Sequence, residues 1–251
     1  MLYKTRGIVL HHLPYNDTYS IALIYTEEFG RASYLTAQSK SRKSRIPRSL
    51  FHPLAVLDLE VEHKNLRGIQ RIKEIRTHIS LVSLLTDPVK SALGIFLAEL
   101  ISKVVREEQT NKPLFDFLLE SIRILELTNT SPANFHLVFM LRLSRLLGFY
   151  PDVEGYQKGM FFDMKNGVFA RYKPDHIHFL SPDESVVFFN LLRMTYENMP
   201  TFRFSSRERQ AIIQRILEYY RLHLSDFPEI KSLEVLHDVF LPDICIVSLG
   251  K

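Results

Sequence analysis

Cysteine is almost absent from this 251-residue chain: Cys245 stands alone. One thiol cannot close an internal disulfide or supply a four-thiolate zinc site, so a disulfide-stapled secreted scaffold is excluded and the reducing cytoplasm is the expected compartment. Long apolar runs are missing too. The start, MLYKTRGIVLHHLPY, is too short in apolar residues for a signal peptide, and no stretch approaches the roughly 18 that a membrane span requires. There is no internal repeat or low-complexity tract. The enzyme signatures are also lacking: no G-x-x-x-x-G-K-[ST] phosphate loop, no G-x-G-x-x-G and no G-x-S-x-G. Paired acids such as Glu27-Glu28 and Glu107-Glu108 stand in turn or helix-end contexts, where carboxylates are ordinarily solvated, and none argues for catalysis.

What is present is a globular composition, 46% hydrophobic and 24% charged, with a small net charge of +4. The charge is unevenly placed. Residues 1–80 carry 13 Lys and Arg against 7 Asp and Glu, while the remainder carries 19 against 21. The basic character is therefore local, which predicts that the N-terminal part meets a polyanion.

The first 78 residues read as strands. Tyr19, Ile21, Leu23 and Tyr25 alternate with polar or small residues, and Leu57, Leu59 and Val61 alternate with Asp58, Glu60 and Glu62. Glu27-Glu28-Phe29-Gly30 reads as the turn into a strand from Arg31 to Gln38, and Asn65-Leu66-Arg67-Gly68 as a hairpin turn. Ile69, Ile72, Ile75 and Ile79 recur every three residues or so, a spacing that favours a helix. About five short strands without crossover helices point to a small closed antiparallel barrel of the OB type. After residue 80 the period becomes helical: Val89 to Val105, then Pro113 to about Leu127, then a helix opened by Ser131-Pro132 and ending near Gly148. Ser181-Pro-Asp-Glu184 and Ser205-Ser-Arg-Glu208 have capping-box spacing and predict two more helix starts. Residues 148–180, rich in glycine and short aromatic runs, read as a small irregular β-containing insert. The fold class expected is α+β: an OB-fold barrel over 1–79, then an α-helical domain over 80–251.

The strongest local feature is Gln38-Ser-Lys-Ser-Arg-Lys-Ser-Arg-Ile-Pro-Arg48, with Lys40, Arg42, Lys43, Arg45 and Arg48 and no acid. Such a loop can follow a phosphate backbone without reading bases, since each contact releases counterions; the competing reading is an ordinary solvated loop. Tyr15, Tyr34 and Phe51 are either stacking platforms for unpaired bases or core. His176 and His178, two apart on a possible strand, have no cysteine nearby to complete a tetrahedral zinc set. Cys245, among apolar neighbours, reads as a small buried hydrophobe.

Taken together, Gly7-Ile-Val-Leu10, Pro14-Tyr15-Asn16-Asp17, Tyr25-Thr-Glu-Glu-Phe-Gly30, the basic loop ending Ser44-Arg45, Leu146-Leu-Gly-Phe-Tyr-Pro-Asp152 and Lys231-Ser-Leu-Glu-Val-Leu236 resemble, in order and spacing, the bacterial RecO family of recombination mediators. The resemblance implies an OB-fold barrel whose last strand covers the Ile69 segment, followed by a helical domain. It also implies a non-enzymatic protein that binds single- and double-stranded DNA, anneals complementary strands and, with RecR, helps load RecA onto DNA coated by single-strand binding protein. RecR and the tail of single-strand binding protein are the partners it implies, with RecF and, indirectly, RecA as further ones. Arg31 and the basic loop are the expected phosphate contacts. Arg142, Arg145 and Phe149 are candidates for the acidic tail; solvated charges on an amphipathic helix are the alternative. Many members carry zinc-ligating cysteines after the Gly-Phe-x-Pro motif, whereas Val153-Glu-Gly-Tyr-Gln-Lys-Gly159 has none. No cofactor or metal is therefore expected. The insert at 148–180 would be a degenerate zinc-finger-like element held by Tyr156, Phe161, Phe162 and Phe169. A protein-interaction adaptor with a merely solvated loop is the competing function, and a nuclease, which would need converging acids for a metal, ranks last.

Overall fold

A computed structural model describes residues 1–37, 47–64, 67–106 and 109–240. Lys40, Arg42, Lys43, Arg45, Asn65, Leu66, Glu107, Glu108 and Cys245 lie outside the described residues. Five strands form a closed barrel in the order β1 (Leu2–Pro14), β2 (Tyr19–Thr26), β3 (Gly30–Ala37), β5 (Ile69–Thr77), β4 (Val56–Glu62), closing back on β1. All pairings are antiparallel except β3 with β5. The long β1 serves two neighbours: its first half pairs with β4 and its second with β2, and the register shifts between Val9 and His11. Gly7 sits where both pairings overlap. A Cβ there would lie 2.6 Å from Ile24 Cγ2 and 2.9 Å from Leu59 Cδ1. Gly7→Ala is therefore expected to overpack the barrel and cost about 1–3 kcal/mol; a melting curve identical to wild type would show that the strands yield without strain.

Alternation puts Val9, Ala22, Ile24, Tyr34, Leu57, Leu59 and Val61 inside, and Phe51, from a single turn at Arg48–Phe51, joins them. The helical spacing in β5 has a specific cause. Glu60 pairs with Glu74 but Val61 pairs with Ile72, so Lys73 is an extra residue in the ladder. This bulge resets the two-residue alternation, and Ile72 and Ile75, three apart, both pack on the barrel core. The helical reading of this segment is thereby corrected.

By compactness the described residues divide into two units: Met1–Leu127 with Ile230–Leu236, and Thr128–Glu229 with residues 237–240. In the first, α1 (Val82–Thr86), α2 (Pro88–Val104) and α3 (Lys112–Leu127) follow the barrel. Asp87 caps α2 by accepting from the Val89 and Lys90 amides at 2.8 and 3.1 Å. Buried Lys90 donates to Ser83 Oγ and the Glu126 carbonyl at 2.7 and 2.8 Å, tying the three helices together. Ser232, which opens α7 (Ser232–Phe240), donates its hydroxyl and amide to Glu99 Oε2 at 2.6 and 2.8 Å, and the Lys231 amide donates to Oε1 at 3.1 Å. Burial opposes ionisation of Glu99, but these three donors outweigh it and hold the carboxyl below its ordinary value. The stability this supplies is complete above about pH 4.5 and is lost as pH falls through the depressed folded value. Glu99→Gln should cost about 2 kcal/mol at neutral pH, a gap to wild type that closes in acid; a constant gap in melts between pH 3 and 7 would refute the charge's role.

The second unit holds α4 (Phe135–Leu146), a small sheet ordered β7 (Val168–Ala170), β6 (Phe161–Asp163), β8 (Phe179–Leu180), then α5 (Pro182–Leu192) and α6 (Ser206–His223). Both capping boxes form, Ser181 with Glu184 and Ser205 with Glu208. The expected start at Ser131-Pro132 does not. That helix begins at Phe135, after Asn134, whose side chain caps nothing and donates to the Met199 and Phe202 carbonyls at 3.2 and 2.8 Å. No helix among the described residues is long and apolar enough to cross a membrane.

Candidate nucleic-acid interface

Both attachment points of the basic loop lie at one end of the barrel. β3 delivers the chain at Ala37, paired with Tyr19, and Pro47 takes it up again before the turn containing exposed Arg48. The neighbouring β1–β2 turn is fixed by Asn16, whose Oδ1 accepts from the Thr18 and Tyr19 amides at 2.9 and 2.8 Å, an arrangement Asn favours because its short side chain mimics a backbone turn. That turn presents Tyr15, 61% exposed, and Tyr19 at its far side, 40% exposed. Tyr34 and Phe51 are core, at 0% and 5%. Of the three aromatics named from the sequence, Tyr15 alone is available for stacking, and Tyr19 is one the sequence reading passed over.

Beneath Arg48, His12 stacks on Phe51 with ring centroids 4.8 Å apart and its Nε2 lies 3.1 Å from Thr36 Oγ1. Burial, with Arg48 and His11 adding to it, holds the His12 pKa below its usual value, so this imidazole is neutral at physiological pH. Among the described residues, exposed Arg48 is a fixed cation at this end.

Arg31 is elsewhere. It begins β3, six residues before Ala37, and at the rise of an extended strand that separates it from the loop end by ~20 Å. Its guanidinium donates to the Ser102 carbonyl at 3.4 Å and lines a groove of about 410 Å³ with Phe29, His63, Arg67 and Gln109. The adjoining β4–β5 hairpin is stapled by buried Gln70, which donates to the Lys64 and Arg67 carbonyls at 3.0 and 2.6 Å and accepts from the Lys64 amide at 3.0 Å. Around Glu62 gather Lys64, Arg67 and Lys73, at 3.4, 3.7 and 3.7 Å. This cationic cluster escaped the sequence reading because its members are spread over ten positions with Glu74 beyond.

In the other unit, Arg142 lies over the Tyr196 ring at 5.0 Å and Arg145 over Tyr150 at 4.1 Å, so both heads rest on aromatic faces. Phe149 is half-buried, edge-on to Tyr220 at 4.9 Å and stacked on His223 at 5.5 Å. The insert's rings form a cluster: Tyr156 meets Phe169 at 4.6 Å and Phe189 at 4.0 Å, and Phe162 meets Phe169 at 5.0 Å and Phe188 at 4.7 Å, while Phe161 pairs separately with Phe179 at 5.8 Å. His176 and His178 precede β8 rather than lying on it; His176 Nε2 is 3.2 Å from Asp163 and His178 Nδ1 is 3.0 Å from Glu218. No group of three or more His, Cys, Asp or Glu among the described residues is arranged to hold a metal ion.

Residues 1–80 match the family described as Recombination protein O N terminal, and residues 85–234 match Recombination protein O C terminal. The DNA repair protein RecO of Azobacteroides pseudotrichonymphae is 55% identical over 240 residues, and that of Phocaeicola vulgatus 47% over 240, each alignment covering 96% of this chain and 100% of the relative. That of Flavobacterium johnsoniae is 32% identical over 241 residues with the same coverage.

Proposed function

The chain belongs to the RecO family, and from that premise we propose that it is a non-enzymatic DNA-binding mediator of recombinational repair. It binds single- and double-stranded DNA, anneals complementary strands and, with RecR, helps RecA load on DNA coated by single-strand binding protein. The observation that carries this reading is the loop end of the barrel. There a stretch with four cations and no acid is anchored beside exposed Arg48, Tyr15 and Tyr19. Lys40, Arg42, Lys43, Arg45 and Arg48 neutralise phosphates, and the two tyrosines offer faces to unpaired bases. Annealing then needs no bond to be made or broken, only removal of the repulsion that keeps two polyanions apart. The acidic tail of single-strand binding protein is assigned to Arg142, Arg145 and Phe149, which combine cationic heads with an apolar ring.

The test is the annealing of two complementary dye-labelled oligonucleotides followed by energy transfer over a range of salt. Acceleration by the protein that fades steeply as salt rises supports the mediator reading. A protein that neither binds the strands nor accelerates their pairing is instead an adaptor whose barrel meets another protein.

A further inference from the structure

We propose, resting on the DNA-binding reading above, that a groove beside the basic loop is a nucleobase slot, which takes one unpaired base of a strand whose phosphates the loop holds. Strand direction places it there. β3 and β5 run parallel, so Ala37 and Thr77 finish at the same end of the barrel, and antiparallel β4 starts there at Val56. The turn containing Arg48 precedes β4 and α1 follows β5, and residues of both segments line a groove of about 180 Å³. Leu50 and Ile79, half-buried, and Val82 and Leu85, 61% and 54% exposed, give it apolar sides. Val82 and Leu85 are three apart on α1 and so share a face of that helix. Exposed Ser49 and Ser80, with half-buried His52, whose Nδ1 donates to the Pro53 carbonyl at 3.1 Å, add polar groups.

A nucleobase has the same division, apolar on its faces and polar along its edge. The volume suits one ring system, being below the roughly 300 Å³ at which pockets begin to enclose a drug-sized ligand. Charge points the same way. No carboxylate lines the groove among the described residues, and Arg48 adjoins Ser49 in the chain. The acids nearest along the chain are both engaged: Asp58 accepts from His78 Nδ1 at 3.0 Å, and Asp87 caps α2. A strand gripped through its phosphates by the loop thus finds apolar surface for a base beside it, with no unpaired acid of the lining to repel the backbone. Phosphate contacts are common to single strands and duplex, whereas only an unpaired base can enter a slot. Pairing withdraws that base, so the annealed product keeps the charge contacts alone and is held less tightly than the strand it came from.

The experiment separates base from backbone. Val82→Ser combined with Leu85→Ser removes apolar surface from the groove, and because both side chains are more than half exposed a melt matching wild type is expected. Fluorescence anisotropy of the full chain with a single-stranded oligonucleotide should show affinity about tenfold lower for this variant, near the low end of what one stacked base contributes. The slope against log salt should stay as in wild type, because no phosphate contact has been removed. An oligonucleotide of the same length built from abasic residues should bind both proteins alike, and so should a duplex. Leu85→Met, which keeps the side chain apolar, should bind the base-bearing strand as wild type does. Equal affinity of wild type and the double variant for the base-bearing strand would overturn the proposal. An equal loss on the abasic strand would overturn it too, by placing the effect on the backbone or the fold, and in both cases the mediator reading survives. Failure of the wild type to bind any DNA would remove that reading itself.

Discussion

Replacing Lys40, Arg42, Lys43 and Arg45 together by alanine is expected to weaken single-stranded DNA binding more than any other surface change in this protein. If each cation contacts one phosphate, the plot of log affinity against log salt flattens by about 2.8, four contacts at ~0.7 each for a single strand. At about 0.1 M salt that corresponds to a loss of roughly 10²–10³-fold. Fluorescence anisotropy of a labelled oligonucleotide at several salt concentrations reads both quantities. Slope is the more telling one, because a variant that merely misfolds loses affinity without following this proportion. Arg48→Ala, a single exposed cation on the adjoining turn, should flatten the slope by about 0.7. Equal slopes for wild type and the fourfold variant would move DNA away from the loop end. Loss of binding by both would leave the adaptor.

The arginine furthest from this loop shows where charge counting stops being informative. Arg31 lies near the loop in sequence, and grouping them is natural. But an extended strand spends its residues on length, and β3 carries Arg31 to the opposite end of the barrel, beside His63 and Arg67. Lys64, Arg67 and Lys73 were invisible for the converse reason: they are spread over ten positions between Glu62 and Glu74, and only the antiparallel return of β5 along β4 gathers them around one acid. A dense run of like charges is legible in one dimension; a cluster made by a hairpin is legible only once register is known.

Register also explains what of the fold could be read. Strands with uninterrupted alternation, such as Val56–Glu62, and helices with Ser-x-x-Glu at the start were plain, because period and cap are local properties. The Ile69 segment misled because one extra residue, Lys73, turns a two-residue period into a three-residue one. Ser131-Pro132 misled in another way. The local signal for a helix start was good, but the first turn formed three residues later, at Asn134, which spends its side chain on the Met199–Phe202 segment. Such long-range hydrogen bonds have no sequence signature.

Phe162→Ala should be the most destabilising single substitution in the insert. Phe162 is fully buried at the centre of the small sheet, paired across β6 with Phe169 on one side and Leu180 on the other. Its ring also meets Phe188 and Tyr219, at 4.7 and 5.8 Å, so deletion opens a cavity that strands, helix α5 and helix α6 would have to collapse together to fill. A loss of about 3–5 kcal/mol is expected, or roughly 10–15 °C in melting temperature. Phe162→Leu, which retains most of the volume, should lose much less. The same reasoning makes the insert indifferent to chelation, since its stability is assigned to rings where many relatives in the resembling family use thiolates. Melts with and without a strong chelator should superimpose. A chelator-dependent drop, or a Phe162→Ala variant that melts with wild type and resists proteolysis across residues 148–180, would show that something other than aromatic packing holds this element.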